Sequence, residues 1–318
     1  MRAVVMREKG GPEVLELREV PDPEPGPEQV LVQIYAAGVN PIDWKLRSWG
    51  IWEVRPPTIL GYDIAGVVVQ VGERVREFRV GDEVWGMTPL RTHGGGYAEY
   101  VAVDANILAR KPSTLSFVEA ASVPLAAQTA YQCLIEAARL GPGESVLIHA
   151  GAGGVGVYAI QIAKLAGATV LTTCRATNVD LVTDLGADVA IDYRTTDFVE
   201  AVQEATGGRG VEVCFDTVGG ETLMRSFEVV RPSGRVPSIT TLASPETAYR
   251  CAPKNIHFWR ELVVGSRHKL DILGSWLEHR KLRPVLDSVL PLERAAEAHR
   301  KLEAGGVRGK IVLQVRES

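Results

Sequence analysis

The stretch that decides the fold reads Val146-Leu147-Ile148-His149-Ala150-Gly151-Ala152-Gly153-Gly154-Val155-Gly156. Three of its glycines, Gly151, Gly153 and Gly156, have the spacing GxGxxG, after an apolar strand and before an apolar helix. Glycine is needed in such a turn because a side chain would hold the backbone away from a bound pyrophosphate, to which the helix N-terminus offers N–H groups. The alternative is a glycine-rich turn in an α/β domain that binds no nucleotide. The order of strand, turn and helix favours a dinucleotide site.

Strands and helices alternate after this turn. Strands are predicted at 145–150, 168–174, 189–192, 211–216 and 234–239, and helices at 154–166, 178–185, 198–206 and 221–230. A series of this kind with strands rich in Val, Ile and Leu is typical of a doubly wound parallel sheet. A further helix is predicted over 124–140, ending at Gly141-Pro142-Gly143. The middle of the chain is therefore predicted to be an α/β domain.

The first third of the chain is rich in short strands. They are predicted at 14–20, 30–36, 64–71, 83–85 and 97–103, separated by glycine and proline. This pattern is typical of a compact, barrel-like β domain. The last part has predicted helices at 269–280 and 292–304 and a final strand at 310–315.

Composition limits the classes of partner. The chain has 318 residues, enough for two domains, and a formal net charge of −4, whereas nucleic-acid-binding proteins usually carry a basic excess. No segment approaches the roughly 20 apolar residues of a membrane span, and the N-terminal apolar run is too short for a signal peptide. We therefore expect a cytoplasmic protein without nucleic-acid or membrane partners. Four widely spaced cysteines are expected to be buried free thiols, with a disulfide or zinc site as the alternative: Cys133, Cys174, Cys214 and Cys251.

The end of the second strand of the α/β series distinguishes NAD from NADP. An acidic residue there would accept hydrogen bonds from the ribose 2′-hydroxyl, whereas an arginine accommodates a 2′-phosphate. Arg175 follows the strand here, and the first acidic residue, Asp180, lies inside the next predicted helix. The guanidinium offers several donors, with Thr173 and Asn178 as neutral partners. The sequence favours NADPH, and the alternative is a solvent-facing arginine with no ligand.

Further motifs occur along the chain, including AGVNPID at 37–43, LGYDIAGVV at 60–68, VGDEV at 80–84, GGYAEY at 95–100, LGAD at 185–188, FDTVGG at 215–220 and VRGK at 307–310. With the glycine turn, they make the chain resemble the medium-chain dehydrogenase/reductase superfamily, and within it the zinc-free quinone oxidoreductases related to zeta-crystallin. The resemblance implies a GroES-like β-barrel domain at 1–122, a Rossmann dinucleotide-binding domain at 123–265, and a C-terminal return to the first domain at 266–318.

Two positions separate the chain from the zinc-containing alcohol dehydrogenase branch of the same superfamily. That branch has a zinc-binding cysteine where this chain has Asn40, and a histidine where it has Tyr62. Catalytic zinc takes three protein ligands from cysteine, histidine and carboxylate side chains, which asparagine and un-ionised tyrosine do not replace. The four-cysteine structural zinc lobe of that branch, expected near residues 90–105, is also missing from the sequence. No metal is expected.

The same positions supply candidates for the chemistry. A nicotinamide carries the reactive hydride, so the protein must orient the acceptor and stabilise the negative charge that grows on its oxygen. Asn40 and Tyr62 are candidate donors, and Asp43 is a third candidate. The alternatives are that Asp43 only holds its loop through backbone N–H groups, and that Tyr62 is a packed ring. Nearby tryptophans either pack in the core or form an aromatic wall for a planar substrate: Trp44, Trp49 and Trp52.

Other cofactor contacts are implied by the resemblance. Most lie at or near the carboxyl end of a predicted strand, where doubly wound sheets bind ligands, and the alternative for each is loop structure alone. They are Thr129, Tyr193, Val218, Thr240, Leu242 and Lys310, in addition to Gly151, Gly153, Gly154, Val155 and Gly156 of the turn.

The leading functional hypothesis is an NADPH-dependent reductase of quinones or of carbon–carbon double bonds conjugated to a carbonyl. A metal-free carbonyl or alcohol dehydrogenase is the second hypothesis, and an NADPH-binding protein with little turnover is the third. The resemblance also implies a homodimer formed through the sheet edge of the dinucleotide domain.

Overall fold

The computed structural model describes residues 1–50, 54–90 and 94–317. The chain forms two compact units, one made of Met1–Gln128 with Val264–Ser318 and the other of Thr129–Val263. The first unit extends beyond residue 122, the boundary expected from the sequence. The reason is that Leu125 N–H donates to Asp63 Oδ1 (2.6 Å) and Gln128 Oε1 accepts from Ser266 N–H (2.8 Å), all within that unit.

The secondary-structure elements are numbered in chain order. The strands are β1 (Arg2–Met6), β2 (Leu15–Glu19), β3 (Gln29–Val39), β4 (Thr58–Ile59), β5 (Asp63–Val71), β6 (Glu83–Met87), β7 (Tyr100–Asp104), β8 (Leu108–Arg110), β9 (Ser145–Ile148), β10 (Thr169–Cys174), β11 (Val189–Asp192), β12 (Val211–Phe215), β13 (Val230–Ser238), β14 (His257–Arg260), β15 (Leu286–Pro291) and β16 (Lys310–Gln314). The helices are α1 (Pro41–Trp49), α2 (Phe117–Ala121), α3 (Pro124–Tyr131), α4 (Gly156–Leu165), α5 (Val179–Asp184), α6 (Phe198–Ala205), α7 (Gly220–Val229), α8 (Pro245–Cys251), α9 (Arg267–Glu278) and α10 (Ala295–Ala304).

The second unit is built on a six-stranded sheet with the order β11-β10-β9-β12-β13-β14, in which all neighbours are parallel. This confirms the predicted doubly wound α/β fold, with the strand order reversing beside β9. Buried apolar residues from strands and helices form its core, among them Leu147, Leu171, Val202 and Phe227. The glycine turn follows the central strand β9, so it lies where such sheets bind ligands.

The first unit contains a seven-stranded sheet with the order β15-β16-β3-β5-β6-β8, in which β7 also pairs with β3, and a three-stranded sheet β2-β1-β4. The C-terminal strand β16 runs antiparallel to β3, with Ile311 opposite Val39. The C-terminal segment therefore completes the sheet of the N-terminal β domain, as expected.

Several elements differ from the sequence-based prediction. The segment around Asp43, expected to be a loop, forms α1, which begins at Pro41 after Asn40 and ends before Gly50 at φ +60°. The helix predicted over 124–140 is α-helical only to Tyr131 and continues as a π-helix over Gln132–Ala137. Strands β14 and β15 were not predicted, because neither has the alternation or the apolar run that marks a strand. Sheet pairing rather than local pattern determines them.

Candidate functional site

The glycine turn of the second unit is tightly packed. Ala150 opens it with a φ of +51°, and α4 begins six residues later at Gly156. A Cβ atom at Gly151 would lie 2.1 Å from Thr172 Oγ1, and one at Gly156 would lie 2.3 Å from Ala150 O. Neither position can therefore take a side chain without movement of the turn or of β10.

The outer edge of this turn suits an anion. Gly153, Gly154 and Val155 are partly exposed, whereas Gly151 and Gly156 are buried. The ten-residue helix α4 begins directly after this edge, so the positive end of its dipole lies there. The turn thus fits the pyrophosphate of a dinucleotide, with the glycines allowing close approach and the helix dipole favouring negative charge.

Arg175 and Tyr193 lie side by side at the carboxyl ends of β10 and β11. Cys174 is opposite Asp192 in the parallel register, and Arg175 Nε donates to Tyr193 Oη (3.2 Å). The Tyr193 side chain is about half exposed. In the part of the chain that the structure describes, the Arg175 side chain makes no other hydrogen bond or ion pair. Its two terminal nitrogens are therefore available to a ligand, and Asp192 has local partners in Arg194 N–H and Thr195 Oγ1.

Thr173 and Asn178, expected beside Arg175, have different positions. Thr173 is 4% exposed, and its Oγ1 contacts Ala150 N and His149 Nδ1, both at 3.1 Å. It supports the glycine turn from inside the unit and does not face a ligand with Arg175. Asn178 is partly exposed and lies just before α5, a few residues after Arg175.

Asp216, which the sequence analysis did not identify, organises the ends of the next two strands. It is fully buried after β12, and its Oδ1 accepts the backbone N–H groups of Val218 (3.1 Å) and Gly219 (2.7 Å). Its Oδ2 accepts the hydroxyls of Ser238 (2.6 Å) and Thr240 (2.9 Å). One carboxylate therefore holds both loops that follow β12 and β13.

The remaining candidate contacts of the second unit differ in exposure. Val218 and Leu242 have exposed side chains, 50% and 66%, after β12 and β13. Thr240 is partly buried, and its hydroxyl is bonded to Asp216. Thr129 is 5% exposed. Val218 and Leu242 are thus the apolar surfaces that a ligand at this edge could contact directly.

In the first unit, Asn40, Asp63 and Lys310 form a buried polar cluster. Lys310 begins β16 and is 3% exposed; its Nζ donates to Asp63 Oδ2 (3.1 Å) and to Asn40 Oδ1. Asn40 Nδ2 donates to the same Asp63 oxygen (2.8 Å). An ammonium only donates and a carboxylate only accepts, so these contacts determine the orientation of the Asn40 amide. Lys310, a candidate cofactor contact, has its ammonium bonded to Asn40 and Asp63 within the first unit.

Asp43, Tyr97 and His299 form a hydrogen-bonded chain in the same unit. Asp43 Oδ2 accepts from Asn40 N–H (2.7 Å) and Tyr97 Oη–H (3.0 Å), and its Oδ1 accepts from Gly61 N–H (3.3 Å). Tyr97 Oη also lies 3.2 Å from His299 Nε2. Burial raises the pKa of Asp43 to about 7, against the effect of its hydrogen bonds, and lowers the pKa of His299 to about 3. Asp43 thus holds the start of α1 and the Gly61 backbone.

Tyr62 lies close to this chain. Its side chain is fully buried, and burial, together with the nearby Asp43 carboxylate, raises its pKa above the usual range for tyrosine. The hydroxyl is therefore un-ionised at neutral pH and can act only as a neutral donor or acceptor. Asn40 is 1% exposed, so both candidate donors are buried in this structure.

The tryptophans are only partly described. Trp44 and Trp49 make an edge-to-face contact on α1, with ring centroids 5.1 Å apart, and Trp49 is 63% exposed. Trp52 lies outside the described residues. All four cysteines are buried free thiols, as expected.

The described residues contain neither a cluster of metal ligands nor a membrane-spanning helix. Over 1–50, 54–90 and 94–317, no group of three or more His, Cys, Asp and Glu side chains could hold a metal ion. Over the same ranges, no helix has the length and apolar character needed to cross a bilayer.

Comparison with known proteins shows which families this chain resembles. Residues 26–113 match the alcohol dehydrogenase GroES-like domain, and residues 185–313 match the zinc-binding dehydrogenase family. The chain is 36% identical to 2-methylene-furan-3-one reductase of Solanum lycopersicum, covering 98% of this chain and 79% of that protein. It is 32% identical to the quinone oxidoreductase of Homo sapiens, covering 98% and 97%.

Solved structures agree over the same span. A crystal structure of an NAD-dependent alcohol dehydrogenase has a TM-score of 0.92 and 36% identity, covering 99% of this chain and 100% of that one. The quinone oxidoreductase of Escherichia coli in complex with NADPH has a TM-score of 0.91 and 29% identity, covering 99% and 100%. The chain belongs to the medium-chain dehydrogenase/reductase superfamily. Within it, the chain is a member of the zinc-free branch of quinone oxidoreductase-like proteins.

Proposed function

We propose that this protein is an NADPH-dependent reductase of quinones or α,β-unsaturated carbonyl compounds. Its relatives over nearly the whole chain include a furanone reductase and quinone oxidoreductases. The structural observation that carries the proposal is the packed turn at 151–156, with the free guanidinium nitrogens of Arg175 at the end of the adjacent strand. This combination suits a dinucleotide that carries a 2′-phosphate.

The preference for NADPH over NADH depends on charge at the end of β10. No carboxylate follows that strand directly, and Asp192 on the neighbouring strand is bonded to Arg194 N–H and Thr195. Arg175 can therefore bind a 2′-phosphate with charge-assisted hydrogen bonds. Tyr193 contributes by holding Nε, which orients the guanidinium plane.

A bound nicotinamide would supply the hydride, and the first unit would stabilise the charge that develops on the acceptor oxygen. Lys310 and Asp63 orient the Asn40 amide, and one Nδ2 hydrogen is used by Asp63. The second Nδ2 hydrogen makes no hydrogen bond among the residues described, so we assign it to the acceptor oxygen. Tyr62 is the second candidate donor, and its burial is the argument for the alternative packing role.

A second candidate, a metal-free alcohol or carbonyl dehydrogenase, is favoured by one observation, the likeness to a solved NAD-dependent alcohol dehydrogenase. The two candidates differ in the bond that is reduced. A protein that binds NADPH for stability alone, with little turnover, is the third.

Single-turnover oxidation of bound NADPH by a panel of acceptors tests these candidates. We expect quinones and enones to oxidise the cofactor and simple ketones not to, with the same rates in the presence of a chelator. Consumption of ketones alone would favour the dehydrogenase. No oxidation by any acceptor would favour the binding protein, and loss of turnover with chelator would overturn the metal-free mechanism.

We also propose a homodimer formed through β14. This strand is one of the two edges of the six-stranded sheet, and its outer backbone groups face no further strand of that sheet. Light scattering after size-exclusion chromatography should give twice the chain mass, and a monomer mass would contradict the proposal.

A further inference from the structure

His149 connects the glycine turn to helix α7. It follows β9, is 1% exposed, and its ring makes an edge-to-face contact with Phe198 (centroids 5.0 Å apart). Its Nδ1 lies 3.1 Å from Thr173 Oγ1, and its Nε2 lies 2.8 Å from Ser226 Oγ. Both ring nitrogens are thus engaged, one towards the turn and one towards the helix.

The partners of these contacts determine where the protons lie. Ser226 Oγ donates to Thr222 O (2.6 Å), and a hydroxyl has only one hydrogen, so Ser226 accepts from His149 Nε2–H. His149 Nδ1 then carries a lone pair and accepts the hydroxyl hydrogen of Thr173. Thr173 Oγ1 in turn accepts the N–H of Ala150 (3.1 Å). The hydrogen bonds therefore run in one direction, from Ala150 N–H through Thr173 and His149 to Ser226 and Thr222 O.

Thr173 fixes the start of the glycine turn through two hydrogen bonds. Its hydroxyl takes the N–H of Ala150, and its backbone carbonyl takes the N–H of Gly151 (2.9 Å). Ala150 has a φ of +51°, in the left-handed region that residues with a Cβ rarely adopt. Such a conformation persists only where surrounding contacts determine it. Ala150 O then accepts from Gly153 N–H (2.9 Å), so the position of Ala150 sets that of the glycines.

We propose that His149 is a positioning residue for dinucleotide binding. His149 Nδ1 accepts the hydroxyl hydrogen of Thr173, which keeps the Thr173 oxygen bonded to Ala150 N–H. The turn is thereby held in the conformation that binds a pyrophosphate. The inference rests on the proposed dinucleotide function. It assigns a role in binding to two side chains that do not touch the ligand.

The electrostatic surroundings agree with this geometry. Burial lowers the pKa of His149 to about 4, and Asp216, the charged side chain near it, opposes this shift only partly. The imidazole is therefore neutral at neutral pH, as it must be for Nδ1 to accept. Cys214 and Ser226 on the Nε2 side are neutral as well, since burial raises the pKa of the Cys214 thiol.

Five variants test the proposal by the Kd for NADPH, measured by titration calorimetry. His149→Leu and Thr173→Val should each weaken binding about tenfold or more, and the double variant should be no weaker than either single variant, because both break one connection. His149→Asn, whose Oδ1 replaces the Nδ1 acceptor, should recover most of the affinity. Val202→Ala, in the core of the same unit, should lower the Tm without changing the Kd.

A ligand without a pyrophosphate separates positioning from general damage. Adenosine 2′-monophosphate should bind the wild type and His149→Leu equally. Equal losses for this ligand and for NADPH, additive losses in the double variant, or an unchanged Kd in His149→Leu would each overturn the proposal.

Nitrogen-15 NMR of the unliganded protein gives a readout independent of binding. We expect the neutral Nε2-protonated tautomer of His149 at neutral pH, and the Nδ1-protonated tautomer would contradict the proposal. If the wild type bound neither NADPH nor NADH, the proposed function would fail, while this spectrum would still decide the proton positions in the chain.

Discussion

At the scale of single residues, Arg175 carries the cofactor preference. Arg175→Glu should weaken NADPH binding by about 1.5–3 kcal/mol, roughly tenfold or more, because it removes a charge-assisted contact and introduces repulsion. NADH binding should change much less. Arg209→Glu, the same charge change at another exposed arginine of the second unit, is the control and should leave both affinities unaltered. Equal wild-type affinity for NADH and NADPH, measured by titration, would refute the assignment.

The hydroxyl of Tyr62 distinguishes the two roles considered for this residue, hydrogen-bond donor to the substrate and packed ring. Tyr62→Phe keeps the ring and removes the hydroxyl, and loss of a donor to an oxyanion typically lowers turnover about a hundredfold. We predict a lower turnover number with near-normal NADPH affinity and an unchanged Tm. Tyr100→Phe, which removes a hydroxyl bonded to Gln33 in the same unit, should leave turnover unchanged. Wild-type rates in Tyr62→Phe would assign Tyr62 to packing and leave Asn40 as the donor.

At the scale of elements, the glycine turn makes the sharpest prediction. Gly156→Ala would place a Cβ 2.3 Å from Ala150 O, so the turn must shift and binding of NADPH should fall about tenfold or more, with a lower Tm. Gly141→Ala is a matched control in the same unit, since a Cβ there meets nothing within 4 Å and the backbone is not in the left-handed region. Calorimetric titration and thermal melting measure both effects. Normal affinity in Gly156→Ala would contradict the role of the turn.

The elements also show what the sequence can and cannot predict. The turn from Gly151 to Gly156 is specified locally by glycine spacing between a strand and a helix, so it was predicted. Helix α1 was missed because the motif around Asn40 was interpreted as a loop. Its capping signals, Asn40 followed by Pro41 and by Asp43 three residues on, were present in the sequence.

At the scale of the whole molecule, the polar cluster of the first unit depends on contacts between distant segments. Tyr97 and His299 are 202 positions apart, and Lys310 is 247 positions from Asp63. No local pattern links such residues; strand β16 brings Lys310 to the sheet by pairing with β3. Asp63, Tyr97 and His299 were therefore not predicted, although Asp63 and Tyr97 lie in motifs that carried the family resemblance.

Lys310 should therefore matter for stability of the first unit. Lys310→Met leaves the Asp63 carboxylate buried without its cation, and breaking a buried pair costs about 3–5 kcal/mol. Lys164→Met, which breaks the largely exposed pair with Asp188, should cost about 0–1 kcal/mol. Adding Asp63→Asn to Lys310→Met should recover part of the loss. Denaturant unfolding measures all three, and equal costs for the two lysine variants would contradict the buried pair.

The proposed reaction is the transfer of a hydride from NADPH to a conjugated acceptor. Its most direct test is a single turnover with NADPH deuterated at the transferring position of nicotinamide C4 and a simple enone, followed by mass spectrometry and NMR of the product. We predict a saturated ketone with one deuterium on the carbon β to the carbonyl. Deuterium on the carbonyl carbon of an allylic alcohol, or a product without deuterium, would contradict the account.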